Sequence, residues 1–294
     1  MSYQLWMSPI TGYRRNGTRF TALKKIFIDN VTVRDIYEPL LCCRIDDPSG
    51  HVKETLERRQ FDMVGVINSD KQIVGYVETA NLKDGVIEQY LQQIKLDQVI
   101  SDSTPLASLL NVLKKREFAY INHGAEIVGI ITKADVNKPP VRIYVFGMVS
   151  LFEMHINLWI KYYYPESRWQ EHISEKRLEA ANRIYEERKG NNQDLMLLDC
   201  IQLGDKRDIL AKTDGFLENN GFNKKTFIRF IRYVEKIRNE LAHSQDSIIA
   251  NVPWDDFVTV LEGVEVFLIN SDSKIEQYGK QGAEGFVEYL TTLA

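Results

Sequence analysis

Leu106, Leu109, Leu110 and Leu113 recur at three- and four-residue intervals, which puts them on one face of a helix over Leu106–Lys115. Two short apolar runs follow, joined by the turn Asn122-His123-Gly124-Ala125-Glu126, and predict a hairpin. The same order occurs earlier. A helix is expected over His51–Arg59, then two apolar runs joined by Asn68-Ser69-Asp70-Lys71-Gln72. Past Asn137-Lys138-Pro139-Pro140 the pattern is helical throughout. A Pro-Pro pair ends regular structure and stiffens a connection, so the domain boundary is expected there. Val141–Tyr164 reads as one long helix, apolar on most sides and therefore central, ended by Pro165. Further helices are expected over Trp169–Lys189, Leu195–Leu203 and 223–246. Phe227, Ile231, Val234 and Leu241 form the apolar stripe of the last, and Asn223 is its candidate N-cap. The predicted fold is an α+β half of helix–strand–strand repeats, followed by an all-α bundle. Its parts are a basic arm at 1–31, a repeat pair at 32–140 (32–84 and 96–140), and the helical domain at 141–294.

The two repeats align. Phe61 matches Phe118 at an offset of 57, and Ile73-Val74-Gly75 matches Ile127-Val128-Gly129 at an offset of 54. With Gly-Ile-Ile-Thr-Lys-Ala-Asp-Val at 129–136, Gly-Tyr-Val-Glu-Thr-Ala-Asn-Leu at 75–82 and Thr-Pro-Leu at 104–106, the segment 32–138 resembles a tandem pair of CBS domains. The resemblance implies a pseudo-twofold pair with two clefts, often filled by adenine nucleotides. In its terms Thr132 bonds a phosphate and Asp135 accepts from ribose hydroxyls. Glu78 and Asn81 stand at the matching positions of the first copy, where a carboxylate repels phosphate. Two readings stand: the second cleft binds a nucleotide, or a degenerate pair serves as a dimerisation platform.

The helix at 223–246 carries an anomaly. Arg238 falls on the apolar stripe, and a guanidinium there cannot discharge, so it needs an anionic partner or a wet cleft. His243 follows near the helix end. Arg238-Asn239-Glu240-Leu241-Ala242-His243, an Arg-x4-His block, resembles the motif of HEPN domains, all-α bundles of which many are metal-independent endoribonucleases. The resemblance spans about 141–270 and implies a dimer in which two motifs share one RNA cleft. The chemistry agrees. Cleavage without metal needs proton transfer at the 2′-hydroxyl and the 5′-oxygen, and a cation at the phosphorane. His243 transfers protons near neutral pH, Arg238 supplies a permanent cation, and Asn239 orients the phosphate or the ring. The other reading of Arg238 and His243 is an ion pair and a helix cap. Lys225, Arg229, Arg232 and Lys236 make a basic ridge on the same helix, read as an RNA guide or as a solvated face. Glu153 and His155, inside the central helix, are read as structural partners or as support for a polar site.

Charge and composition narrow the partners. Residues 1–140 carry 18 Lys and Arg against 17 Asp and Glu, and residues 141–294 carry 19 against 24. Neither half is a general polyanion binder, so RNA contact has to come from a local basic face. Cys42, Cys43 and Cys200 have no CxxC or His/Cys ligand spacing, so neither a disulfide framework nor a metal site is expected. The longest strongly apolar stretch, Ile143–Phe152, is short for a membrane span, and the expectation is a cytoplasmic protein. The arm carries Arg14, Arg15, Arg19, Lys24 and Lys25 and reads either as solvated and packed on the repeat pair or as a phosphate contact. Taken together, the expected function is a nucleotide-regulated, homodimeric endoribonuclease that needs no cofactor for catalysis. The resemblance points to toxin or antiphage roles. The rival is a non-catalytic nucleotide-sensing adaptor whose helical half only binds a partner or dimerises.

Overall fold

The computed structural model describes residue 6 and residues 14–190, 195–242 and 247–292, with side chains to residue 277. The chain forms two compact units. One is Phe27–Pro140; the other joins Met1–Ile26 to Val141–Ala294.

The first helix, α1 (Phe20–Asp29), precedes the repeat elements. Strands β1 (Glu38–Pro39) and β2 (Cys42–Arg44), helix α2 (Ser49–Arg59) and the hairpin β3 (Met63–Ile67) and β4 (Ile73–Glu78) follow. Strand β5 (Val99–Ser101), helix α3 (Leu106–Lys114) and the hairpin β6 (Phe118–His123) and β7 (Glu126–Thr132) repeat that order. Each hairpin is extended by a parallel strand, giving sheets β2-β3-β4 and β1-β7-β6-β5. Strand β1 joins the second copy, antiparallel to β7.

The duplication extends to detail. Pro48 and Pro105 each sit at the N-cap of the repeat helix. Each hairpin shifts register after its fourth β3 or β6 residue, at Val66/Ile67 and Ile121/Asn122. The matched glycines have one reason. A Cβ on Gly75 would lie 2.3 Å from the Gln92 carbonyl oxygen, and one on Gly129 would lie 2.5 Å from that of Glu38. At both places another backbone runs against the strand, so a side chain is excluded. Leu106, Leu109 and Leu113 are fully buried, as the helical period requires; burying each stabilises the unit by roughly 1.5–3 kcal/mol. Burial pushes the Cys43 thiol up to about 12, so it behaves as a small apolar core group.

The helical unit is built on α4 (Pro139–Tyr163). Pro139 and Pro140 open this helix; the expectation was that they would interrupt structure. A proline is tolerated in the first turn because its missing N–H has no helical acceptor there. The helix is long and apolar enough to cross a membrane by composition, and longer than the ten-residue run suggests. In this unit Val145, Phe152, Ile156 and Ile160 are fully buried in the bundle. Then come a 3-10 segment, Pro165–His172, and α5 (Glu175–Arg188), where the sequence suggested one helix. The helix expected over Leu195–Leu203 is instead a 3-10 turn, Leu197–Cys200, followed by α6 (Leu203–Leu210). Short α7 (Asp214–Asn219), α8 (Lys224–Ala242) and α9 (Trp254–Thr292) complete the unit. Asn223 caps α8 as expected, its Oδ1 accepting from the Thr226 N–H at 2.9 Å. Phe152 meets Phe267 edge-on, Phe216 meets Phe227 edge-on, and Phe216 and Phe267 pack at a tilt.

The described part of the basic arm up to Ile26 belongs to the helical unit, with Arg15, Arg19 and Lys25 exposed. Arg14 is buried and pairs with Asp272 at 2.5 Å, Arg19 pairs with Glu276 at 2.6 Å, and Lys24 pairs with Glu265. The Phe20 N–H donates to the second Asp272 oxygen at 2.8 Å. Trp6 packs edge-on against buried His155 at 4.6 Å and under Arg14 at 5.1 Å. These cations pair with three of the acidic residues of α9.

Candidate functional site

Arg238 projects from the buried stripe of α8 and finds the anion that its position demands. Its Nε–H donates to Glu153 Oε1 on α4 at 3.0 Å, and Nη1 donates to Asn239 Oδ1 at 3.2 Å. Among the described residues Nη2 has no partner, and the side chain keeps 39% of its exposure. Glu153 and Asn239 thus fix the guanidinium through Nε and Nη1.

Glu153 begins a polar row on α4. Asn157 and Lys161 follow at four-residue intervals, so the three side chains share one face of an otherwise apolar helix. The Asn157 amide donates to Asp199 at 3.0 Å. Lys206, on α6, is buried, within the electrostatic range of Glu153, Asp199, Arg238 and Lys161. Burial pulls the Lys206 ammonium below the usual lysine range, although Glu153 and Asp199 pull it back up. Lys161 is lowered as well, by burial. Close by on α8, buried Glu240 accepts from Asn251.

His243 lies outside the described residues, so Arg238 and Asn239 are the motif members with a described geometry. The basic ridge is in place but elsewhere on the helix. Lys225, Arg229, Arg232 and Lys236 are exposed and, with Lys224, Ile228 and Tyr233, line a groove of about 670 Å³. At about 100° per residue these four cations sit roughly 120–180° around α8 from Arg238. The ridge therefore does not lead into the Arg238 site within one copy of the helix. Asp256 binds it from α9, accepting from the Tyr233 hydroxyl at 2.8 Å and pairing with Arg229 at 3.4 Å. Among the described residues no group of three or more His, Cys, Asp or Glu side chains is placed to share a metal ion.

Thr132 and Asp135 form a capping box where β7 ends. The Thr132 N–H donates to Asp135 Oδ2 at 2.7 Å, and the Thr132 hydroxyl accepts from the Ala134 N–H at 3.2 Å. The other Asp135 oxygen pairs with Lys138 at 2.9 Å, and Lys138 also reaches Glu38. Burial lowers the Lys138 ammonium, but Asp135 and Glu38 outweigh it and the net shift is upward. Asp135 is thus 7% exposed, and each of its oxygens has a partner within the protein. In the first copy Asn81 donates to Glu78 at 2.7 Å, so the two residues that break the motif bond each other.

No protein-family model matches the sequence, and no curated protein matches it. Solved structures do. The CBS domains of a transcriptional regulator from Streptococcus pneumoniae are 18% identical, with a TM-score of 0.32, over 37% of this chain and 98% of that one. CBSX2 in complex with AMP is 20% identical, with a TM-score of 0.32, over 38% of this chain and 97% of that one. The CBS domain of a bacterial CNNM/CorC family Mg2+ transporter in complex with ATP is 16% identical, with a TM-score of 0.32, over 40% of this chain and 92% of that one. The matches lie in the N-terminal region.

Sequence reasoning singled out Glu153 without its partner and missed Asn157, Asp199 and Lys206. The available signal was the Glu153, Asn157, Lys161 spacing inside an apolar helix. For Lys206 the sequence held none, since Leu203–Leu210 reads as an ordinary short amphipathic helix.

Proposed function

We propose that this chain is a nucleotide-sensing, metal-independent endoribonuclease, with a CBS-type sensor in the duplicated unit and a HEPN-type nuclease in the helical unit. The observation that carries the reading is Arg238: a guanidinium held on a buried stripe by Glu153 and Asn239, with Nη2 uncommitted among the described residues. That arrangement suits a phosphate whose negative charge grows in the transition state.

His243 takes the proton of the 2′-hydroxyl as the 2′-oxygen attacks phosphorus. The P–O5′ bond breaks, and the 5′-oxygen leaves with a proton from a second donor. The products are a 2′,3′-cyclic phosphate and a 5′-hydroxyl. One motif supplies one histidine, so a homodimer supplies the second donor. In the sensor, Asp135 is already ordered by the Thr132 backbone, and Lys138 places a cation beside it. An adenine nucleotide would set its ribose on Asp135 and a phosphate on Thr132. Such coupling in the cytoplasm suits a toxin or antiphage effector restrained until a signal arrives.

The alternative is a non-catalytic nucleotide-sensing adaptor. The occupation of Arg238 by Glu153 favours it, because a structural ion pair looks the same. Cleavage of RNA by the purified protein in EDTA, lost in His243→Ala, supports the nuclease; absence of cleavage leaves the adaptor.

A further inference from the structure

Lys225, Arg229, Arg232 and Lys236 fall within a sector of about 60° of α8 and span about 16 Å along its axis. Each is a like-charged neighbour of the next at a spacing of three or four, an arrangement that works against the helix. The two acidic residues of α8 do not relieve it. Glu235 lies 4.0 Å from Arg207 on α6, and Glu240 is buried and accepts from Asn251. Asp256, on α9, pairs with Arg229 at 3.4 Å. Among the described residues Lys224, Lys225, Arg232 and Lys236 have no carboxylate in ion-pair range. A stretch with 24 acidic residues against 19 basic ones thus keeps five cations together against one carboxylate.

The groove they line, of about 670 Å³, has Ile228 and Tyr233 between the cations. The Tyr233 ring is held in place. Its hydroxyl donates to Asp256 at 2.8 Å, and Arg229 and Lys236 lie 5.8 and 5.4 Å from its centre. Cations alternating with an aromatic ring and an aliphatic side chain suit a strand that offers phosphates and unpaired bases together. A duplex turns its bases inward and would leave Ile228 and Tyr233 unused. Lys224 and Ile228 also line a second hollow of about 300 Å³. The carboxylates there, Asp205 and Asp208, pair with Arg177 and Arg207 at 2.8 Å each, so the track of unpaired charge ends at Lys224.

We propose that this face of α8 is a binding groove for single-stranded nucleic acid, separate from the Arg238 site. The inference goes beyond the nuclease reading and does not rest on it. The groove faces away from Arg238 on the same helix, so it binds whether or not the protein cuts.

The test is fluorescence anisotropy of a labelled oligodeoxythymidylate with the full-length protein over a series of salt concentrations. DNA has no 2′-hydroxyl, so binding is read without cleavage. The wild type should bind, with log K falling against log salt at a slope of about −3 if four phosphates are neutralised. Lys225→Gln with Arg232→Gln should bind at least tenfold more weakly and flatten that slope by about 1.4. Arg183→Gln with Arg188→Gln removes the same charge from exposed positions on α5 and should bind like wild type. Arg238→Ala should bind like wild type as well, and a duplex of the same length should bind more weakly. No binding by wild type, a ridge variant that binds like wild type, or an equal loss in the α5 control overturns the proposal. So does Arg238→Ala as weak as the ridge variant, or a duplex bound more tightly than the single strand. Ridge-dependent binding of polyglutamate tighter than that of the oligonucleotide would make the face a protein-docking surface and overturn it too. Cleavage enters none of these readouts, so failure here and failure of the nuclease reading are distinct results.

Discussion

Arg238 and Glu153 meet at 3.0 Å, and their pairing ties the last turns of α8 to the middle of α4. A motif arginine thereby gains a fixed direction from a residue 85 positions earlier in the chain. Charge-assisted bonds of this kind hold geometry as well as energy.

The motif itself is tested first. Arg238→Ala and His243→Ala should each slow RNA cleavage at least about a hundredfold, the scale of losing a transition-state cation or an acid–base group. Rates near wild type in either folded variant would sink the assignment. Arg238→Ala also strands Glu153 half-buried, so its melting temperature should fall, whereas that of His243→Ala should hold.

The arm is a structural element. Arg14→Ala should destabilise the protein by about 3–5 kcal/mol, because it leaves Asp272 buried without its cation. The paired change Arg14→Met with Asp272→Leu should cost much less. Thermal unfolding checks both, and equal losses in the two variants would refute the ion-pair account.

The buried His155 makes a pH prediction. Burial, helped by Arg14, lowers its pKa from 6.5 to about 3. Its Nδ1 lies 2.6 Å from Ser271 Oγ, which also accepts from the Trp159 indole at 2.7 Å. The unfolded chain binds a proton here that the folded chain refuses. Stability from this group is therefore intact above pH 6.5 and is lost as pH falls from 6.5 towards 3. Asp272, raised by burial, opposes part of that loss. Melting curves of wild type should fall across this window more steeply than those of His155→Gln.

The sensor prediction concerns Asp135. AMP or ATP should raise the melting temperature of wild type and change its cleavage rate, and Asp135→Ala should lose both effects. Asn81→Ala, whose residue is engaged with Glu78, should keep most of them. Removing the cap at Thr132 costs about 1 kcal/mol by itself, so calorimetric binding to the folded variant decides. Equal binding to wild type and Asp135→Ala would remove the assigned cleft.

Legibility followed the range of the interactions. The duplicated hairpins and α8 were plain because period-2 and 3.6-residue patterns, turns and the Asn223 cap are local signals. Strands β1, β2 and β5 were not, since two or three residues cannot display a period. Pro139-Pro140, read as a boundary, also opens α4, because the same pair can end one element or begin another and only the helix beyond it decides. Arg238 announced its need for an anion, but the identity of that anion depended on Glu153 across the bundle. Arg14 looked like a solvated charge because its partner lies 258 residues away.

That last distance bears on how the protein is made. The helical unit is interrupted in sequence by the whole of Phe27–Pro140, which is continuous. On the ribosome the inserted unit has every residue it needs to fold early, as continuous domains do. Its host does not: Arg14 is translated before the inserted unit and its carboxylate, on α9, after it. The half proposed to cut RNA can therefore be completed only after the half proposed to hold the nucleotide has been translated.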